Sequence, residues 1–120
     1  MNDTREQRLA ATKVRMLELA ARFIERTRGD LRTMRADLEK AGAGDESALA
    51  EIRHLAHRMA GTGATLGFAA LGERAAGTEA LVEALLPRGT PPDAQALEKL
   101  AADIGALESQ LATDARRAAI

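Results

Sequence analysis

Two histidines lie three residues apart near the middle of the 120-residue chain, and they are the side chains best suited to chemistry. A neutral imidazole is a nucleophile at neutral pH, because the ordinary pKa of the ring is about 6.5. A pair such as His54 and His57 could also bind zinc, but the sequence offers no clear third ligand and no cysteine. We therefore favour nucleophilic chemistry over a metal site.

Of the two histidines, His57 points away from the predicted core of its helix. Successive helical positions advance by about 100°, which places His57 roughly 140–160° from the apolar stripe of the same segment. That stripe consists of Ile52, Leu55 and Met59. The spacing predicts a solvent-facing imidazole.

The outer face around His57 carries mostly small side chains. Gly61, one turn after His57, and Arg53, one turn before it, each lie about 40° from the histidine. The other neighbours are alanines, at positions 50, 60 and 64. An exposed helix surface usually carries long charged side chains, and glycine lowers helix stability. We interpret this face as room for another protein to reach the imidazole; the alternative is an ordinary surface histidine.

The segment that starts at His57 resembles a known motif. Residues 57–68 read HRMAGTGATLGF. They resemble the motif of histidine phosphotransfer (HPt) domains, in which the histidine is followed by a glycine, small residues and a Leu/Phe-Gly pair. The segment Thr65-x-Gly67-Phe68 is similar to the phospho-accepting domain of CheA-type chemotaxis kinases. With flanking helices, the resemblance extends from about Leu17 to Leu111.

The resemblance implies a phosphorelay function. His57 would accept a phosphoryl group and exchange it with an aspartate on a response-regulator receiver domain. The implied partners are that receiver domain and an upstream histidine kinase or hybrid kinase. The receiver would supply the magnesium ion, so no cofactor or metal of the chain's own is expected. The alternative function is a non-catalytic helical adaptor that kept the fold and lost phosphotransfer.

A self-sufficient kinase fits the sequence less well than a phosphoryl carrier. Sensor-kinase dimerisation domains typically have an acidic residue directly after the histidine, where this chain has Arg58. No ATP-binding module follows in the sequence.

This chain differs from the family motif at one position. The family commonly has a lysine three residues after the histidine, and this chain has Ala60 there. The nearest basic residues by helix geometry are Arg53 and Arg58, which we expect to be well solvated and either of which could supply the missing charge. In the family a Gln or Glu of the following helix often orients the second ring nitrogen. That position aligns with Glu79, for which an ordinary solvated glutamate is the equal alternative.

The elements that must position these residues are helical. Alanine, leucine, glutamate and arginine dominate the composition, and all are strong helix formers. Apolar periodicity predicts four helices, near residues 4–40, 46–66, 69–86 and around 97–111. The first is long enough for a break near Gly29 or Ala11. Its heptad stripe is interpreted as part of the bundle core, with dimerisation as the alternative, and consists of Leu17, Ile24, Leu31 and Leu38. We predict an antiparallel four-helix bundle with a possible extra N-terminal helical segment; a coiled coil is the alternative.

Composition limits the remaining possibilities. The chain has 17 basic and 18 acidic residues, so it lacks the basic excess of a nucleic-acid-binding protein. No stretch approaches the ~20 apolar residues of a membrane span, and the polar N-terminus resembles no signal peptide. We expect a single domain over residues 1–120, located in the cytoplasm, with neither nucleic acid nor membrane as a partner.

Overall fold

The computed structural model describes residues 4–86 and 92–118, and the regular structure of these residues is helical. Four helices follow one another along the chain: α1 Arg5–Gly42, α2 Glu46–Thr65, α3 Ala69–Leu85 and α4 Ala94–Ala118. Each helix packs against the next, and α4 packs back against α1. The predicted all-α fold, an antiparallel four-helix bundle, is confirmed.

The helix ends are set by local hydrogen bonds. Thr4 and Gln7 form a capping box at the start of α1, and the Asp45 side chain caps α2 by accepting from the Ser47 backbone N–H at 3.0 Å. Gly67 has a φ of +90°, a left-handed conformation that favours glycine, and it turns the chain from α2 into α3. The segment Pro87–Pro92, which its proline and glycine content predicts to be a loop, lies mostly outside the described residues.

The core runs along the bundle axis and receives side chains from all four helices. The stripe predicted for α2 is buried, as expected from its helical spacing. The apolar spacing of α4 predicts a stripe from Leu97 to Leu111; Leu97 is half-buried, and the buried members are Leu100, Ile104, Leu107 and Leu111. The fully buried large side chains are Met34, Ile52, Met59, Leu71, Leu100, Ile104, Leu107 and Val82.

Helix α1 is much longer than the bundle. It runs for 38 residues without the break considered near Gly29 or Ala11, so the extra N-terminal helical segment is the first part of α1 itself. The ring of Phe23 stacks on Phe68 of the α2–α3 turn, with centroids 5.2 Å apart, and marks one end of the bundle. We call residues 5–22, which extend past this end, the α1 overhang.

The prediction that Leu17 belongs to the bundle core is wrong. Its side chain is 53% exposed, whereas Ile24, one heptad later, is buried. The stripe itself is correct, but α2, α3 and α4 do not extend along α1 as far as Leu17.

Candidate functional site

His57 lies on the outer surface of α2. Its side chain is 72% exposed, while Leu55 and Met59 on either side of it are buried. The opposite placement follows from helical geometry, since residues two positions apart differ by about 200° around the axis. A partner protein can therefore approach the imidazole without any movement of the bundle.

One nitrogen of the His57 ring is held by Glu79 of α3. The Nδ1 atom lies 2.8 Å from Glu79 Oε2, and the glutamate side chain is only 19% exposed. A carboxylate can only accept, so in this contact Nδ1 carries the hydrogen and donates it. In the neutral ring, Nε2 then keeps its lone pair, on a side chain that is largely exposed.

Close packing of α2 on α3 brings Glu79 within reach of His57. Gly72 of α3 lies against the α2 backbone, where an added Cβ would stand 3.1 Å from the Ala60 carbonyl oxygen. Glu79 follows Gly72 by two helical turns on the same face of α3. A Cβ on Gly63 of α2 would likewise lie 3.4 Å from the Phe68 carbonyl oxygen. Neither glycine was singled out from the sequence. The available signal was their position inside amphipathic helices, where a glycine usually has a packing reason.

The two arginines considered as substitutes for the family lysine are both paired with carboxylates. The Arg53 guanidinium lies 3.9 Å from Glu83 of α3, a loose contact between two exposed side chains. Arg58 Nη2 donates to both oxygens of Asp30 on α1, at 3.0 Å each. Arg58 is therefore tied to α1, and the expectation that it is well solvated is wrong.

The small-residue face predicted around the histidine consists of accessible surface. Ala50, Gly61 and Ala64 are exposed, and Ala60 is half-buried at the edge of the core. A Cβ on Gly61 would meet no atom within 4 Å outside its own helix. Packing inside the bundle therefore does not require glycine at this position.

Neither a metal site nor a membrane span is found in the part of the chain that the structure describes. No cluster of three potential metal-ligating side chains occurs there, and His54 is exposed. None of the described helices is long and apolar enough to cross a bilayer.

Comparison with protein-family models identifies the family of the chain. The Hpt domain family model matches residues 18–115, which is most of the chain. The chain belongs to the Hpt domain family. It is a histidine phosphotransfer module of two-component signalling, and the predicted family resemblance is confirmed. No curated protein and no solved structure matches the chain.

The family match covers only part of α1 in this Hpt domain. The matched segment begins at residue 18, close to the point at which α1 joins the other three helices. Most of the α1 overhang therefore lies outside the part that this Hpt domain shares with its family.

Proposed function

We propose that this Hpt domain relays a phosphoryl group between Nε2 of His57 and an aspartate of a response-regulator receiver domain. The observation that carries the proposal is the pairing of His57 Nδ1 with Glu79 at 2.8 Å on an imidazole that is largely exposed. This arrangement directs the lone pair of Nε2 toward solvent and toward an incoming partner.

The transfer requires little from this chain beyond a positioned nucleophile. Nε2 of His57 attacks the phosphorus of the receiver's aspartyl phosphate; an N–P bond forms and the P–O bond to the aspartate breaks, releasing a carboxylate. The phosphorylated ring keeps its Nδ1 hydrogen, and the Glu79 carboxylate balances the positive charge that the ring acquires. The reverse reaction returns the phosphoryl group to the aspartate. The magnesium ion is expected on the receiver domain.

The surface around His57 suits a protein partner. The face of Ala50, Gly61 and Ala64 lets a second protein approach the imidazole closely, because no long side chain projects from it. We propose this face as part of the contact with the receiver domain and, at another step of the relay, with a histidine kinase or hybrid kinase. A cytoplasmic location and a single domain over residues 1–120 remain predictions.

A second candidate is a non-catalytic adaptor with the same fold. It is favoured by Ala60 at the usual lysine position and by the engagement of Arg58 with Asp30, which together leave a phosphohistidine with little cationic support. An adaptor would bind a receiver or a kinase without carrying phosphate.

Incubation with a radiolabelled, phosphorylated receiver domain distinguishes the two candidates. A relay protein acquires label that is stable to alkali and lost in acid, the behaviour of a phosphohistidine, while the receiver loses its label. The receivers and kinases of the same organism are tried in turn. If no receiver or kinase transfers phosphate to a chain that nevertheless binds one of them, the adaptor function replaces the relay.

A further inference from the structure

A groove lies between α1 and α2 on the outside of the bundle. Its volume is about 150 Å³. The floor is apolar, because Phe23 of α1 and Met59 of α2 line the groove and are both buried. We call this site the α1–α2 groove, and the polar side chains at its rim are Arg22, Arg26, Asp30, Arg58 and Thr62.

The rim carries more positive charge than the bundle neutralises. Arg58 donates to both carboxylate oxygens of Asp30 at 3.0 Å, so this pair is neutral. Arg22 and Arg26 are exposed, and within the described residues neither of them forms an ion pair. The glutamates within one turn of them on α1, at positions 18 and 25, do not pair with either arginine. Two uncompensated positive charges therefore stand beside an apolar floor.

The groove adjoins the surface around His57. On α2 its rim residues Arg58 and Thr62 follow His57 by one and five positions, which is about 1.5–7.5 Å along the helix axis. They lie about 100° and 140° around α2 from His57, and Gly61, at about 40°, stands between without a side chain. A specific interface covers about 800 Å² on each partner, a patch roughly 16 Å in radius. A protein that contacts His57 and extends across Gly61 toward α1 therefore reaches the groove.

We propose that the α1–α2 groove receives an acidic side chain of the response-regulator receiver domain, and that Arg22 and Arg26 determine which receivers this Hpt domain accepts. This inference rests on the proposed function for the identity of the partner. The receiver is chosen over the kinase because it takes part in the transfer step in both directions.

The size and chemistry of the groove favour a side chain of a protein as the occupant. Its volume of about 150 Å³ is below the roughly 300–1,000 Å³ of ordinary small-molecule sites. Guanidinium groups are weakly hydrated and bind carboxylates through paired hydrogen bonds, so Arg22 and Arg26 suit an aspartate or glutamate. The floor formed by Phe23 and Met59 suits the apolar stem of that residue or an apolar neighbour.

The two arginines should act on recognition and leave the chemical step unchanged. Both lie on α1, whereas His57 lies on α2 and its ring is paired with Glu79 of α3. Charges at the edge of an interface act mainly on the association rate and on partner choice, because two like charges placed opposite each other repel. A receiver with a basic residue at the matching position should therefore bind poorly.

Receiver affinity in Arg26→Glu, with Arg32→Glu as the control, tests the proposal. The probe is the unphosphorylated receiver of the same organism that binds the native chain most tightly, measured by isothermal titration calorimetry. Both variants change the net charge equally at an exposed position of α1, but Arg32 lies beside α4, about 120° around α1 from Arg26. We expect the dissociation constant to rise about tenfold in Arg26→Glu and less than about twofold in Arg32→Glu. Circular dichroism checks that both variants fold.

Transfer kinetics give a second readout that a structural role of Arg26 would not produce. In Arg26→Glu, the KM for the phosphorylated receiver should rise about tenfold while kcat stays unchanged. Added sodium chloride should narrow the difference between Arg26→Glu and the native chain, because salt screens exposed charges.

Charge reversal on the receiver identifies the acidic residue. Its surface aspartates and glutamates are changed to arginine one at a time. One of these receiver variants should lose affinity for the native Hpt domain and regain it for Arg26→Glu, as expected for two charges in direct contact.

Three results would overturn the proposal. The first is equal weakening by Arg26→Glu and Arg32→Glu, which would reduce the effect to net charge. The second is unchanged receiver affinity in Arg26→Glu, whether or not a kinase loses affinity; a loss for the kinase would assign the groove to that partner. The third is a chain that binds no receiver. The relay function fails separately: a chain that binds a receiver through Arg26 and takes no phosphate from it would refute the relay and support the groove.

Discussion

At the scale of single residues, we propose that Glu79 determines which nitrogen of His57 can react. An exposed imidazole in water exchanges between two tautomers, and only one of them leaves Nε2 free. The 2.8 Å contact of the largely buried Glu79 carboxylate with Nδ1 selects that tautomer. We therefore propose Glu79 as a positioning residue, which acts through the histidine and does not contact the phosphoryl group.

Removal of this carboxylate should slow phosphotransfer without unfolding the bundle. We expect Glu79→Ala to reduce the transfer rate by about three- to tenfold, as for the loss of one partly exposed hydrogen bond. Nitrogen-15 NMR of the ring should show a mixture of tautomers. Glu79→Gln, whose side-chain oxygen can still accept from Nδ1, should restore much of the rate. A single unchanged tautomer in Glu79→Ala would show that Glu79 does not orient the ring.

The charge near a phosphohistidine should come mainly from Arg53. Its guanidinium is exposed and only loosely paired with Glu83, whereas Arg58 is fixed on Asp30. An exposed ion pair contributes about 0.2–1 kcal/mol, so Arg53→Ala should slow transfer only a few-fold and Arg58→Ala should slow it less. Stopped-flow transfer rates measure both. A loss of several orders of magnitude in Arg53→Ala would show that its role is larger than an ion pair of this kind.

Ala60 tests the register of the family match. Ala60→Lys introduces the usual lysine of the motif three residues after His57, and we expect transfer at an equal or higher rate. The variant needs a folded control, since Ala60 packs against the edge of the core. If folded Ala60→Lys protein transfers no phosphate, the alignment around His57 is wrong.

At the scale of elements, α2 has one face for the core and another for a partner. On the partner face, Gly61 has no side chain that could obstruct an approaching protein. A larger residue at this position would meet no other atom of the bundle. Gly61→Gln should therefore fold normally and slow transfer from the receiver by blocking access to His57. Gly77 of α3 is a matched control, because it is also an exposed helical glycine with open space around it. It lies about 160° around α3 from Glu79, the residue that contacts α2, so it faces away from α2. Equal transfer rates in Gly61→Gln and Gly77→Gln would refute the access argument.

Sequence periodicity predicted some features of these elements and could not predict others. The bounds of α1, α2 and α3, to within about two residues, and the inward stripes of α2 and α4 follow from the spacing of single residue types. Helix α4, Ala94–Ala118, extends beyond its predicted range of 97–111 at both ends. Where α2, α3 and α4 end relative to α1 is a property of the assembled bundle and cannot be derived from the spacing of apolar residues in α1. Leu17 was therefore wrongly assigned to the core. The contact of Gly72 with the α2 backbone also depends on two segments at once. Glu79 was singled out only through the family resemblance, with a solvated surface glutamate as the equal alternative.

At the scale of the whole molecule, a buried carboxyl group should make stability depend on pH. Asp37 of α1 is 3% exposed and its Oδ2 has no hydrogen-bond partner. Burial, and next Glu51 of α2, raise the pKa of Asp37 from its ordinary value of 3.8 to about 6. The fold thus favours the protonated acid. The protonated Asp37 stabilises the fold fully at pH values below 3.8, the ordinary pKa of the group. This stabilisation is lost as the pH rises through about 6, the pKa in the folded chain.

Urea unfolding at pH 5 and pH 7.5 measures this effect. Between pH 5 and pH 7.5, the free energy of unfolding of the native chain should fall more than that of Asp37→Asn. The asparagine variant cannot ionise at this position, so it should be the more stable of the two at pH 7.5. An identical pH dependence in both proteins would show that Asp37 does not titrate in this range.

The central claim is that His57 alone carries the phosphoryl group. The most direct measurement labels three proteins side by side from the same phosphorylated receiver: the native chain, His57→Gln and His54→Gln. The two histidines lie one turn apart on α2 and both are exposed, so each variant controls for the other. We predict that acid-labile label disappears in His57→Gln and persists in His54→Gln. Full labelling of His57→Gln would contradict the account.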